Sequence, residues 1–261
     1  MSIVTATSTP VIAEVDAGVL VLRLNRPAVR NAFDWAMALE MEKQIDRFEA
    51  DESLRVAILT GGVEHFSAGV DLRAMAAGEP KPRTPQRGWF GFIERPPNKP
   101  LIAAVEGAAF GGGFERALAC DLLVAAENSR FALPEVSRGL IASAGGLIRL
   151  PLRLPAAIAA EIVLTGEPCE ARRLHAFGLI NRLAPPSESL QAALTIARVI
   201  AANAPLSVAA SKRMLRLAGA HTEAQLWRHQ EEIFAPVRDS ADYQEGLRAF
   251  KEKRRPKFSG R

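Results

Sequence analysis

Hydrophobic positions change their period several times along the chain. Val11 to Val15 and Val19 to Leu24 are short β-rich runs flanking Asp16-Ala17-Gly18, a pattern that predicts a hairpin. From Asp34 to Ala50 the apolar residues Met37, Met41, Ile45 and Phe48 recur at helical spacing, which predicts an amphipathic helix. Arg55 to Thr60 returns to strand and stops at Gly61-Gly62. Gly78 to Pro100 has no period and holds six of the 17 prolines together with Trp89, Phe90 and Phe92. A loop of that length serves as a lid or binding loop, or is a mobile surface segment.

Beyond Pro100 the pattern sharpens. Leu101 to Val105 is a fully apolar strand candidate, followed by Gly107, Gly111, Gly112 and Gly113 and a helix-friendly run from Phe114 to Ala119. Asp121 to Ala126 is a second buried strand. Strand, glycine turn, short helix and strand in succession predict an α/β fold with parallel pairing. From Ser187 onward four helical stretches follow one another, near 187–202, 206–217, 222–234 and 241–251, and no strand pattern is visible. We therefore expect an α/β core over residues 1–199 and a helical part over 200–261.

Composition narrows the class. The chain has 261 residues, 48% of them hydrophobic and 24% charged, which is globular and excludes low-complexity or collagen-like chains. Its apolar runs fall far short of the roughly 20 residues of a membrane span, so no membrane partner is expected. The first 20 residues carry Glu14 and Asp16 but no Lys or Arg, so a cytoplasmic location is expected. Cys120 and Cys169 form no C-x-x-C motif and read as reduced core thiols; the four histidines make no zinc pattern, and no metal is expected. Of the net charge of +4, residues 246–261 contribute seven basic side chains against Glu252 alone, leaving the rest of the chain at −2. The basicity belongs to the tail, as a solvated end or as a contact for a phosphate-bearing partner, and nucleic acid is not an expected partner.

Candidate chemistry gathers at three glycine-flanked segments. Gly111-Gly112-Gly113 directly precedes a helix, so backbone N–H groups and the helix dipole can meet an anionic oxygen there. Position 116 is not glycine and no Gly-Lys-Ser/Thr follows, which disfavours dinucleotide and NTP binding. Glu115 sits in the first turn of that helix among apolar residues, where burial raises a carboxyl pKa toward general acid or base work. Glu135, in Phe131-Ala132-Leu133-Pro134-Glu135-Val136, has a similar setting. The turn Phe66-Ser67-Ala68-Gly69-Val70-Asp71-Leu72 can offer the N–H of Val70 opposite that of Gly112. His65 and Ser67 lie two residues apart without a G-x-S-x-G elbow, which disfavours a serine nucleophile.

These motifs, with Leu24-Asn25-Arg26-Pro27, Lys99 to Glu115 and Ala144-Gly145-Gly146, resemble the crotonase (enoyl-CoA hydratase/isomerase) superfamily over nearly the whole chain. Ala109 to Glu115 and Phe131 to Glu135 are also similar to the carnitinyl-CoA dehydratases within it. The resemblance implies a spiral of ββα units with an α-helical C-terminal trimerisation region, assembled as a homotrimer or a dimer of trimers. It implies that the N–H groups of Val70 and Gly112 hold the thioester oxygen, that Glu115 activates or positions a water, and that Glu135 delivers a proton to the alpha carbon. The CoA part of the substrate is expected along Val29, Arg30, Ala68 and Arg73, with Lys251, Lys253 and Arg254 of the tail closing over CoA held mainly by a neighbouring subunit. No separate cofactor is implied.

Three positions depart from the family pattern. Ala28 stands where many members carry a Lys, with Arg30 two residues on; Arg116 follows Glu115 where an apolar residue is usual; Ala142-Ser143 replaces Pro-Gly before Ala144. A cation beside Glu115 lowers its pKa, but one residue along a helix it points about 100° away. The leading expectation is a lyase that hydrates enoyl-CoA through a thioester enolate. Isomerisation, or dehydration of a carnitinyl-type acyl-CoA, competes within the fold, and a non-catalytic acyl-CoA or RNA-binding member is the alternative of a different class.

Overall fold

A computed structural model describes residues 9–261. The chain runs through β1 (Val11–Asp16), β2 (Val19–Leu24), α1 (Trp35–Ala50), β3 (Val56–Thr60), β4 (His65–Ser67) and α2 (Leu72–Ala76). It continues with β5 (Arg83–Thr84), β6 (Gly88–Trp89), β7 (Leu101–Val105), β8 (Ala108–Phe110), α3 (Gly112–Ala119), β9 (Leu122–Ala126) and β10 (Arg130–Ala132). After a 3-10 turn, Pro134–Arg138, come α4 (Gly146–Arg153), α5 (Ala156–Thr165), β11 (Cys169–Glu170), α6 (Ala171–Ala176) and β12 (Arg182–Ala184). The helices α7 (Ser189–Ala201), α8 (Pro205–Ala218), α9 (Glu223–Arg238) and α10 (Ala241–Glu252) close the chain.

The hairpin expected at residues 11–24 is present, with Ala17 and Gly18 both at positive φ in its turn. The expected helix begins at Trp35 because the Asp34 carboxylate accepts from the Met37 N–H at 2.9 Å, an N-cap. From β2 the main sheet continues in parallel through β3, β7, β9 and β12. Its strands are apolar on both faces, as a covered parallel sheet requires. Val19, Val21, Val56, Ile58, Ile102, Ala104 and Val124 meet Ala193, Ala197 and Ala201 of α7 on one side. On the other, Leu20, Leu22, Ala57, Leu59, Ala103 and Leu123 join the large core with Met37, Phe66 and Phe114. Residue 199, the expected boundary, lies inside α7.

A second sheet, ordered β11-β10-β8-β4, gives the fold its logic. Each of β3, β7 and β9 in the first sheet is followed at once by β4, β8 or β10 in the second, and each pair then leads into helical structure. This is a winding of ββα units. Because β4, β8 and β10 are parallel neighbours, the segments leaving their carboxyl ends emerge side by side. Those segments carry Val70, Gly112 with Glu115, and Glu135.

From Pro82 to Ile93 much of the proline-rich stretch is packed against the body of the protein, while residues 78–81 are exposed. It forms the small β5-β6 ribbon and buries Phe90, Phe92 and Ile93 completely or nearly so. Buried Arg87 ties it to α1, from Nε to Asp46 at 2.6 Å and from Nη2 to Glu49 at 3.0 Å. The C-terminal tail is likewise docked. Arg55 donates to the Phe258 carbonyl at 2.8 Å, and Asp242 accepts from the N–H groups of Ser259 at 2.6 Å and Gly260 at 2.8 Å.

Candidate active site

A cavity of about 820 Å³ opens beside the carboxyl ends of β4, β8 and β10. Of the residues singled out from sequence, Val29, Arg30, Ala68, Val70, Arg73, Gly112, Glu115 and Glu135 line it together. Lys251, Lys253 and Arg254 do not line it; Arg254 is paired with Glu245 and Glu252, both at 2.6 Å. Trp89, Phe90, Arg138, Leu140, Ile141 and Ser143 also contribute to the wall, a set that no local sequence period marks.

The segments that carry the Val70 and Gly112 N–H groups meet at the cavity. Phe33 pairs with Val70 like a parallel strand: its N–H donates to the Gly69 carbonyl and its carbonyl accepts from the Asp71 N–H, both at 2.8 Å. Neighbouring N–H groups of an extended chain point to opposite edges, so the Val70 N–H is turned away from Phe33. Gly112 is the first residue of α3, where an N–H has no partner within the helix. The two segments touch: a Cβ on Gly69 would lie 2.9 Å from the Gly112 nitrogen, and Gly69 is itself at φ +96°. At Gly111, φ is +53° and a Cβ would stand 2.8 Å from Glu135 Oε1. Glycine is therefore required for the backbone to pass between the two donors and the carboxylate.

Glu115 projects from the first turn of α3 and is 3% exposed. Burial pushes its pKa up to about 7, with the charge of Glu135 adding to the rise. The Gly146 N–H donates to its Oε1 at 2.9 Å, and this bond, the Ala144 N–H and Arg116 pull the other way. Gly146 begins α4, so the carboxylate meets the positive end of a second helix. Glu135 lies in the 3-10 turn after β10, and burial raises its pKa, opposed by a backbone hydrogen bond and by Arg138. Its Oε2 is buried with no hydrogen-bond partner, an acceptor left for a molecule in the cavity.

Arg116 does not line the cavity, in keeping with its position one residue along the helix from Glu115. It stacks on Phe33 and Phe90 and donates to the Ser67 hydroxyl. The Ala144-Gly145-Gly146 motif was visible in the sequence, but its use as a pair of N–H donors to Glu115 depends on the approach of α4 to α3.

Two backbone donors, a buried carboxyl and a half-buried one around one cavity are suited to chemistry on an anionic oxygen with proton transfer on either side of it. The profile of the family described as "Enoyl-CoA hydratase/isomerase" matches residues 14–261, and the chain belongs to this crotonase family. It is 41% identical to the carnitinyl-CoA dehydratases of Salmonella typhi and Proteus mirabilis, over 93% of its own length and 95% of theirs. Among solved structures it resembles an enoyl-CoA hydratase from Mycobacterium tuberculosis H37Rv, with TM-score 0.94 and 46% identity, covering 97% of this chain and 100% of that one. A carnitinyl-CoA hydratase from Mycobacterium avium matches with TM-score 0.78 and 40% identity, over 98% of this chain and 100% of that one.

Proposed function

We propose that this protein adds water reversibly across the alpha–beta double bond of an enoyl-CoA. The observation that carries the reading is the pairing of Glu115 and Glu135 across one cavity, both raised by burial, beside the Val70 and Gly112 N–H groups. The thioester oxygen accepts from the two N–H groups and gathers charge as the enolate forms. Like charges in one site favour a state in which the pair holds a single proton. Glu115, the more strongly raised of the two, holds that proton at rest; hydration proceeds from the form in which it sits on Glu135, and ionised Glu115 then takes a proton from water as its oxygen attacks the beta carbon. Glu135 then protonates the alpha carbon, and the reverse sequence dehydrates the hydroxyacyl-CoA. Arg30 and Arg73, both exposed at the cavity rim, supply positive charge for the CoA phosphates.

The names of the relatives support a second reading, dehydration of a carnitinyl-type substrate. Its quaternary ammonium calls for an aromatic face, which Trp89 offers, whereas Arg138 and Lys81 in the same wall oppose a cation. A panel of crotonyl-CoA, a long-chain enoyl-CoA and carnitinyl-CoA, followed by thioester-conjugated absorbance, decides between them. Turnover of none of the three overturns the hydro-lyase reading.

We also propose a homotrimer, or a dimer of trimers, through the C-terminal helices. Leu215, Trp227, Leu247 and Phe250 are exposed there, Phe250 to 87%, an amount of uncovered apolar surface that favours association. Sedimentation of a monomer at micromolar concentration overturns this.

A further inference from the structure

Arg116 is the largest of the fully buried side chains, and it has no acidic partner among the described residues. Its guanidinium carbon lies 3.5 Å from the centre of the Phe33 ring and 4.5 Å from that of Phe90. Nη2 donates to Ser67 Oγ, while Nε and Nη1 have no hydrogen-bond partner. Burial lowers its basicity and Glu115 and Cys120 oppose that, and a guanidinium retains its proton in proteins. A buried cation without a carboxylate is costly, and an apolar side chain of similar volume would fill the space without that cost.

Each contact of Arg116 belongs to a part of the thioester-oxygen site. Ser67 Oγ donates to the Asn31 carbonyl at 2.6 Å and accepts from the Gly69 N–H at 3.2 Å, which holds the turn presenting Val70. Phe33 grips the same turn through the Gly69 carbonyl and the Asp71 N–H. Phe90 abuts the second donor, since a Cβ on Gly112 would lie 2.5 Å from Phe90 Cζ. The stack is therefore in contact with the supports of both N–H groups; its Phe90 ring forms part of the cavity wall, and Arg116 and Phe33 do not line the cavity.

We infer that Arg116 is a positioning residue: from behind, it fixes the Val70 and Gly112 N–H groups, and its charge offsets the negative charge that forms on the thioester oxygen in front. This rests on the enolate reading above. Arg116 makes no ion pair among the described residues, and its attraction to the charge that develops on the enolate favours the transition state over the bound substrate.

The test compares the wild-type protein with Arg116→Leu in steady-state kinetics, in the pH profile of kcat, and in the infrared carbonyl stretch of a bound, isotope-labelled acyl-CoA thioester. The groups acting electrostatically on Glu115 are Glu135 from the 3-10 turn, Arg149 from α4 and Arg116 from its own helix. Removing Arg116 should leave KM unchanged and lower kcat by about 10–100-fold, less than the roughly 10²–10³-fold of a lost oxyanion donor. The acid limb of the profile should move to higher pH, and the carbonyl stretch toward its value in free acyl-CoA. Arg116→Lys, which keeps the charge, should recover part of kcat. A purely structural role predicts lost stability with an unshifted pH profile and carbonyl, and that result overturns the inference. A wild-type protein that binds the thioester without shifting its carbonyl overturns the enolate reading, and the inference with it. A wild-type shift retained in full by a folded Arg116→Leu protein of normal kcat overturns the role of Arg116 alone. If the Leu protein does not fold, Arg116→Gln, neutral and able to reach Ser67, is judged by the same readouts.

Discussion

The Gly146 N–H donates to Glu115 Oε1 at 2.9 Å, joining the first turns of two helices whose sequences are 31 positions apart. Burial and the neighbouring Glu135 charge favour the protonated carboxyl, whereas this bond favours the ionised form. The balance leaves Glu115 at about 7, close to the pH at which a base must be both available and effective.

Glu115→Gln and Glu135→Gln should each lower kcat for hydration by about 10²–10⁴-fold, the usual contribution of a positioned acid or base. Because the two groups work on one substrate, the double variant should lose much less than the product of the single losses. Crotonyl-CoA turnover by all three variants checks this. Loss in only one single variant favours an isomerase-like mechanism with one base.

Stability should carry the mark of Glu115 as well. Its folded-state pKa of about 7 stands above the ordinary value of 4.5, so the folded chain binds more protons between these pH values. The stabilisation is present in full below 4.5 and is lost as pH rises through 7, by on the order of 3 kcal/mol. Glu115→Gln cannot ionise, so its Tm relative to the wild type should rise between pH 5 and pH 8. An unchanged Tm difference across that range means Glu115 does not titrate there.

Loss of the Gly112 N–H should cost at least 10²-fold in kcat, about the effect of one oxyanion donor. Gly112→Pro removes it, but a Cβ at this position meets Phe90 Cζ at 2.5 Å, so the substitution is best made beside Phe90→Leu. Phe90→Leu alone is the reference, and circular dichroism verifies folding of both. A folded double variant with the activity of that reference shows that the thioester oxygen binds elsewhere.

Cations proposed for the CoA phosphates should act on binding alone. Reversing Arg30 and Arg73 should raise KM for acyl-CoA with little change in kcat, because the phosphates are bound alike in ground and transition states. Lys251 and Lys253 should do the same if the tail reaches a neighbour's substrate, and wild-type affinity should weaken with salt more steeply than that of the variants. Arg254 is a poorer choice, since reversing it also breaks its pairs with Glu245 and Glu252.

Local pattern revealed the parts of the fold that are locally determined. The hairpin, α1, and the apolar strands β7 and β9 all follow from period and punctuation. The second sheet did not show itself, because β4, β8 and β10 are three residues each and too short to express an alternation. The proline-rich stretch read as a lid or binding loop or as a mobile surface segment, and period could not choose among these, because its anchor, Arg87, is a charged residue whose burial depends on Asp46 and Glu49 in a distant helix; Lys81, Trp89 and Phe90 of this stretch do line the cavity. The candidate site was legible where chemistry and context coincide, at Glu115, Glu135 and the glycines. The aromatic wall, the donors at Ala144 and Gly146, and the stacking of Arg116 arise from approaches between elements that no single segment encodes.

The tie between Arg87 and α1 also bears on substrate choice. With Trp89 and Phe90 held on a ribbon clamped to a helix, one side of the cavity would act, on the proposed reading, as a ruler with a fixed zero. On that reading, differences in chain width or branching would fall to other lining residues, among them Leu140, Ile141 and Ser143, which stand exposed a few positions after Glu135 in the chain. Evolution or engineering toward another acyl group would, on the same proposed reading, have its freedom at Arg138, Leu140, Ile141 and Ser143, while changes at residues 87–93 would disturb the calibration itself.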